Sequence, residues 1–284
     1  MNHPRLKNGD MSTHRQLPGI IHAISRFSGL TSKVPSSLFL YALSAAISLA
    51  VWQGVSLLIA NSLFLPGPYT VGQAWITMAR SGELGVDTGV SLVQLVFGYG
   101  IGAIIGLLLA LVAYSFKPIY YLLDPLLQAV RQVSAIAWIP IAILFFGIGD
   151  QLPIAIIAYS AALPLYVNAL VGLQSVDGNL IRAAMTLGAS RWLVVRSIVL
   201  PGALPLILTG ARISLGLAWM VLIAAELIGS PAGLGYKVLW YQQFLLSDRV
   251  IAIMLTIGIL GFAMDLGMRA LQRYLFRWQP EARA

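Results

Sequence analysis

The sequence predicts an all-α integral membrane protein with six transmembrane helices. Two observations carry this reading. Of the 284 residues, 58% are hydrophobic and only 10% are charged, whereas a soluble domain holds about 25% charged residues. Mean hydropathy is +0.84, and the apolar residues fall in runs of about 20, enough for a helix to cross a bilayer. The same figures exclude a disordered chain, which needs low hydrophobicity and high charge.

The predicted spans are residues 38–60, 90–114, 120–146 (interrupted by Pro140), 153–173, 203–228 and 250–271. The first is too long for the h-region of a cleaved signal peptide and follows a long tail. In that tail, residues 1–17 read as disordered. Residues 18–30 place Ile20, Ile21, Ile24 and Phe27 on one helical face, the pattern of a helix lying in the membrane interface. Domain organisation follows: a tail over 1–36, a membrane domain over 37–275, and a second tail over 276–284.

Lys and Arg set the orientation. With a cytoplasmic N-terminus and six crossings, 13 of the 18 basic residues fall inside, among them Lys117, Arg182, Arg191, Arg196, Arg269 and Arg273. Only Arg80, Lys237 and Arg249 fall outside, and Arg131 and Arg212 lie within spans. Both termini are therefore expected in the cytoplasm. The net charge of +8 is spread over these loops facing anionic lipid, not clustered in a soluble segment, so nucleic acid is not an expected partner.

Two outside stretches are long. In residues 61–88 the Pro66-Gly67-Pro68 turn precedes an amphipathic helix from about Val71 to Arg80. Residues 229–249 read as a partly re-entrant loop, tolerable only where protein or water covers its backbone. Within the second span, Gly98, Gly100, Gly102 and Gly106 have the spacing of a close helix–helix contact. No convincing internal repeat is present.

Several chemistries are excluded. Cysteine is absent, and His3, His14 and His22 all precede the first span. No metal cluster, catalytic triad or nucleophile–base pair is thus expected in the membrane. None of the four lysines, Lys7, Lys33, Lys117 and Lys237, stands in the Gly-Lys-Ser/Thr context of a P-loop.

The informative loop joins spans four and five, residues 176–205. Asp177 can cap a helix in which Leu180, Ile181, Ala184 and Leu187 share a face. Gly188 stands at the position of a left-handed C-terminal cap. Ser190 can cap a second helix, and Pro201 and Pro205 are expected to break the run before span five. A connector needs only a few residues, so a folded amphipathic loop predicts a docking surface for a soluble partner.

Ala183-Ala184, Gly188 and Ile198-x-Leu200-Pro201 resemble the EAA loop of ABC importer permeases, here over residues 176–201. The first motif position, usually Glu in that family, is Arg182, so a contact assigned to that Glu does not carry over. Over about residues 37–280 the chain is similar to the nitrate, sulfonate, taurine and bicarbonate subgroup. The similarity rests on Phe64-Leu65-Pro66, Leu123-Asp124-Pro125, Ala137-Trp138-Ile139-Pro140, Phe146-Gly147-Ile148-Gly149, Ala224-Ala225-Glu226 and Gly233-Leu234-Gly235-Tyr236.

The resemblance implies a type I ABC importer transmembrane-domain fold in a bacterial inner membrane. It implies a homodimer of permeases, two cytoplasmic ATPase subunits that carry ATP and Mg, and a substrate-binding protein outside. The chain itself would be a permease without enzymatic activity or cofactor. Its coupling residues would be Arg182, Ala183, Ala184, Leu187, Gly188, Ile198, Leu200 and Pro201.

Ionisable residues inside spans are costly and face a cavity or a partner. The candidates are Asp124, Arg131, Arg212, Glu226 and Asp265. A guanidinium fork suits an oxyanion such as nitrate, sulfonate or bicarbonate. The expected substrate pathway therefore includes Arg131, Arg212, Glu226 and Trp138. Structural pairing competes with substrate contact on equal terms for Arg212 and is preferred for Arg131 and Asp124. Arg212 and Glu226 could pair across helices. Gly235, Tyr236, Trp240 and Tyr241 form a candidate outside gate. The alternative function is an ion- or proton-coupled secondary transporter, which should show repeats and matched broken helices.

Overall fold

The computed structural model describes residues 37–276 except 60 and 62. The tail helix expected over 18–30 and the chain beyond 276 lie outside the described residues. The chain divides into two compact units, residues 1–52 and 53–284. In the first unit, the described residues are the apolar turns of helix α1 (Ser37–Ile59) as far as Trp52.

The second unit is helical throughout its described elements. In chain order they are α2 (Pro68–Arg80), α3 (Glu83–Ser115), α4 (Lys117–Arg131), a 3₁₀ turn (Ala135–Trp138), α5 (Ile139–Phe146) and α6 (Gln151–Gln174). There follow α7 (Gly178–Thr186), α8 (Arg191–Val194), a π turn (Val195–Val199), α9 (Leu200–Gly229), α10 (Leu234–Gln243) and α11 (Ser247–Leu275). Among the described residues, five helices are long and apolar enough to cross a membrane, or six if the bent pair α4 and α5 is one span.

α6 is the central helix, packed between α3 and α9. Gly98, Gly102 and Gly106 face it at four-residue intervals. A Cβ on Gly98 would stand 2.7 Å from Ile157 Cβ, and one on Gly102 or Gly106 would overlap the Ala158 or Ala162 carbonyl. Gly100 has nothing within 4 Å of its Cβ position and serves no such contact. Lipid removes the hydrophobic drive between helices, so close backbone approach supplies dispersion instead. The resulting core joins Ala110 and Ala113 of α3, Leu165, Tyr166, Ala169, Leu170 and Leu173 of α6, and Val199, Ala203 and Ile207.

α2 forms as expected, with Pro68 in its first turn and Val71, Ala74 and Met78 buried. Trp75 Nε1 donates to Thr256 Oγ1 of α11 at 2.9 Å.

Two breaks differ from expectation. The third span bends by 89° between Arg131 and Ala135, not at Pro140. That proline occupies the first turn of α5, where its missing N–H removes no helical bond. Before span five there is no break at all: α8, the π turn and α9 form one 39-residue helix from Arg191 to Gly229. Pro201 lies in the first turn of α9 and Pro205 is accommodated inside it.

Candidate functional site

At one end of α9 stands the α7–α8 unit. Asp177 Oδ1 accepts the Asn179 amide at 2.8 Å, and Ser190 Oγ accepts the Leu193 amide at 3.3 Å. α7 closes in a Schellman motif, with Gly188 N donating to Met185 O and Ala189 N to Ala184 O, both at 3.0 Å. Gly188 has φ +86° with open space around its Cβ position, so backbone conformation rather than crowding calls for glycine there.

Ile181, Ala184, Ile198 and Leu200 pack onto the core. Leu180 and Leu187 do not share that face: both are exposed, Leu187 at 89%, together with Trp192 at 72%. Arg182, Ala183, Gly188 and Pro201 are not buried either. Arg182 Nη2 donates to Asn179 Oδ1 at 2.7 Å, which holds it along α7. The unit thus presents an apolar, basic surface on a rigidly capped turn. The π turn behind it is a device frequent at functional sites.

At the other end of α9 a buried carboxylate organises α10. Glu226 is fully buried. Its Oε1 accepts Ser91 Oγ at 2.6 Å and its Oε2 accepts the Gly235 amide at 2.7 Å, while Ser91 Oγ accepts the Leu234 amide at 2.9 Å. Two N–H groups that the first turn of a helix leaves open are thereby satisfied.

The approach is close enough to require glycine. Gly233, at φ +106°, would place a Cβ 2.6 Å from Glu226 Cδ, and Gly235 would place one 2.8 Å from Glu226 Cβ. Further along α10, Lys237 Nζ pairs with Glu83 Oε1 at 2.6 Å and lies 3.8 Å from Asp87 Oδ2. Tyr241 donates to Glu83 Oε1 at 2.5 Å. Burial opposes the Lys237 ammonium, but the bond to Glu83 and the charges of Asp87 and Glu83 outweigh it and hold the pKa above the usual lysine value. Of the four gate candidates, Gly235 and Tyr241 are buried. Tyr236, Trp240 and Phe244 form a row of tilted ring contacts with centroids 6.0 and 5.2 Å apart.

The intramembrane charges pair differently from the sequence expectation. Arg212 does not meet Glu226. It binds Asp265 in a two-pronged contact, Nε to Oδ1 at 2.6 Å and Nη2 to Oδ2 at 3.2 Å, and Arg269 Nε reaches the same carboxylate at 2.8 Å. The space beside Arg212 is only about 40 Å³. Asp124 accepts from Tyr166 at 3.1 Å, and Arg131 has no carboxylate within 4 Å among the described residues.

Arg131 instead ends α4 at the bend and lines a cavity of about 260 Å³ with Ser134, Tyr159, Ser160, Leu163 and Leu217. The bend is held by Tyr159, whose hydroxyl accepts from Trp138 Nε1 at 3.1 Å and donates to Val130 O at 2.9 Å. Trp138 and Tyr159 also line an apolar cavity of about 430 Å³ with Phe145 and Phe146.

Structure therefore brings Arg131 and Trp138 to either side of one tyrosine. Arg212 is engaged by Asp265, and Glu226 lies with Gly235 beneath α10. Sequence reasoning missed Ser91, Glu83, Lys237, Ser134 and Tyr159. A hydroxyl in the apolar run of α6 was the one signal available for Tyr159.

Residues 102–278, more than half of the chain, match the family model of the binding-protein-dependent transport system inner membrane component. The chain is 37% identical over 242 residues to the taurine transport system permease protein TauC of Escherichia coli K12, covering 83% of this chain and 88% of that one. It is 32% identical over 247 residues to the bicarbonate transport system permease protein CmpB of Synechococcus elongatus, covering 81% and 86%. In fold it is similar to a chain of the MetNI methionine ABC transporter in an inward-facing conformation. The TM-score is 0.59 at 20% identity, over 68% of this chain and 96% of that chain. A multi-pass helical core, a capped helical unit at one end of its longest helix and these matches agree: the chain belongs to the family of binding-protein-dependent transport system inner membrane components.

Proposed function

We propose that this chain is the permease of an ATP-driven ABC importer for a small anion, of the sulfonate, taurine, nitrate or bicarbonate type. The observation that carries the coupling role is the α7–α8 unit, with Gly188 at φ +86° and exposed Leu187 and Trp192. It is continuous with the helix that reaches Glu226 at its other end. Arg182, Ala183, Leu187, Gly188 and Pro201 form the surface that a cytoplasmic ATPase grips, while Ala184, Ile198 and Leu200 seat the unit on the core behind it. ATP and Mg reside on that partner, with two ATPase chains serving two permease copies.

The excess of Lys and Arg in the sequence on the α7–α8 side supports a cytoplasmic location for that side, for both termini and for the tails 1–36 and 276–284. The membrane domain spans 37–275. α10 then faces outward, where a substrate-binding protein delivers its cargo, and Gly235, Tyr236, Trp240 and Tyr241 form the gate. Closure of the ATPase dimer draws the two α7–α8 units together and turns the cavity outward; hydrolysis resets it. A secondary transporter should show matched broken helices, and a single bent pair occurs among the described helices.

The test is purification of the tagged permease from its host in mild detergent, wild type beside Gly188→Trp. An ATPase chain should copurify with wild type and be lost from the variant while the permease stays monodisperse. Uptake should collapse on ATP depletion and survive an uncoupler. Wild type free of ATPase in every detergent, or uptake that follows the uncoupler instead, overturns the reading.

A further inference from the structure

We propose that Arg131 and Ser134 form an oxyanion site at mid-membrane depth, in the elbow between α4 and α5. The cavity there reaches Ser160 and Pro164, at the middle of α6, and Leu217, close to the middle of α9. Arg131 and Ser134 stand at the exposed mouth of this cavity, and Arg131 is the intramembrane arginine that no carboxylate neutralises among the described residues. Arg212, by contrast, has its fork filled by Asp265 and almost no space beside it.

The other polar groups of the cavity divide cleanly. Ser160 Oγ donates to Ile157 O and Tyr159 donates to Val130 O, so both hydroxyl protons are committed. Ser134 Oγ, three residues beyond Arg131 and at the far side of the bend, makes no hydrogen bond among the described residues. The site therefore offers a planar cationic fork and one free hydroxyl donor. The remaining walls are apolar, Val133, Leu163 and Leu217 among them, and a low-dielectric lining strengthens the attraction. At about 260 Å³ the cavity falls below the roughly 300–1,000 Å³ of drug-sized sites. A compact monoanion with a sulfonate or carboxylate head and a short apolar tail suits it. The identity of that anion as cargo rests on the importer reading; the existence of the site does not.

The sequence contains no cysteine, so Ser134→Cys creates a single thiol at the site. The full permease–ATPase complex carrying it is reacted with sulfonatoethyl, carboxyethyl and trimethylammonium-ethyl methanethiosulfonates. Each rate is divided by that of free mercaptoethanol. Both anionic reagents should then be favoured about tenfold over the cationic one, the low end of electrostatic focusing in a cleft. Ethanesulfonate, a monoanion with a short apolar tail, should slow the anionic reactions.

Adding Arg131→Lys should keep the preference and adding Arg131→Gln should abolish it. The lysine variant guards against a folding defect read as loss of the site. An equal preference in the glutamine background, or no reaction with any reagent, overturns the proposal. ATP-driven ethanesulfonate uptake by the wild-type complex without charge preference at the introduced thiol would remove the site and leave the importer reading standing. A preference that persists in a complex showing no ATP-driven uptake would do the reverse.

Discussion

The Glu226 carboxylate meets the Gly235 amide at 2.7 Å, so the last turns of α9 cap the first turn of α10 across the chain reversal between them. The bond is enclosed by protein, with Ser91 as a second donor to the same carboxylate. Buried donors that lose their acceptor carry the full desolvation penalty, and this geometry makes the consequences measurable.

Glu226→Ala should therefore lower stability by about 2 to 5 kcal/mol, since the Ser91 hydroxyl and the Gly235 amide each lose an acceptor. Glu226→Gln keeps one oxygen and should fall between. Thermal unfolding in detergent, with protease cleavage near α10 as a second readout, should give the order wild type, Gln, Ala. Equal melting temperatures for all three would deny the carboxylate its capping role.

Gly102→Ala and Gly100→Ala make a matched pair on one helix. The first places a methyl against Ala158 and Ala161 and should cost about 1 to 3 kcal/mol by overpacking. The second meets open space and should be neutral or gain about 0.5 kcal/mol in helix propensity. Equal effects on the melting temperature would place the α3–α6 contact elsewhere.

The Arg212–Asp265 pair should respond asymmetrically. After Arg212→Met, Asp265 still holds Arg269. After Asp265→Leu, Arg212 is left charged within its span without a partner. The aspartate variant should be the less stable, and the double variant should recover part of its loss. Additive single effects in a double-mutant cycle would show that the two residues do not interact.

The Lys237 clasp predicts a pH dependence. Its folded pKa is raised, so its contribution is fully present below the unfolded lysine value, about 10.4, and is lost as pH climbs through the folded value. The melting-temperature gap between wild type and Lys237→Met should hold steady from pH 7 to 9 and narrow above about pH 10.4. A gap that widens with alkalinity contradicts the assignment.

Local chemistry is legible in the sequence. Asp177, Gly188 and Ser190 cap and terminate helices through bonds to residues two to five positions away, so the α7–α8 unit can be placed from spacing alone. The glycines of α3 likewise declare a helix contact. Partnerships set by tertiary packing are not legible. Ser91 and Glu226 are separated by 135 positions, and nothing in either neighbourhood names the other. The charges depart from expectation for the same reason: Asp265, not Glu226, reaches Arg212 across helices. Pro140 draws attention to the wrong place for the bend. The chain turns instead at residues 132–134, which hold no proline or glycine, and Tyr159 of another helix stabilises that turn.

The unbroken helix from Arg191 to Gly229 has a thermodynamic corollary. Its 39 residues reach about 58 Å at 1.5 Å per residue, beyond the roughly 40–45 Å of a whole bilayer. One continuous helix thus joins the Trp192 surface to the Glu226 clasp. Coupling carried by such a helix is reciprocal: if binding at the Arg191 end biases the position of α10, then whatever seats on α10 changes affinity at the Arg191 end by the same factor.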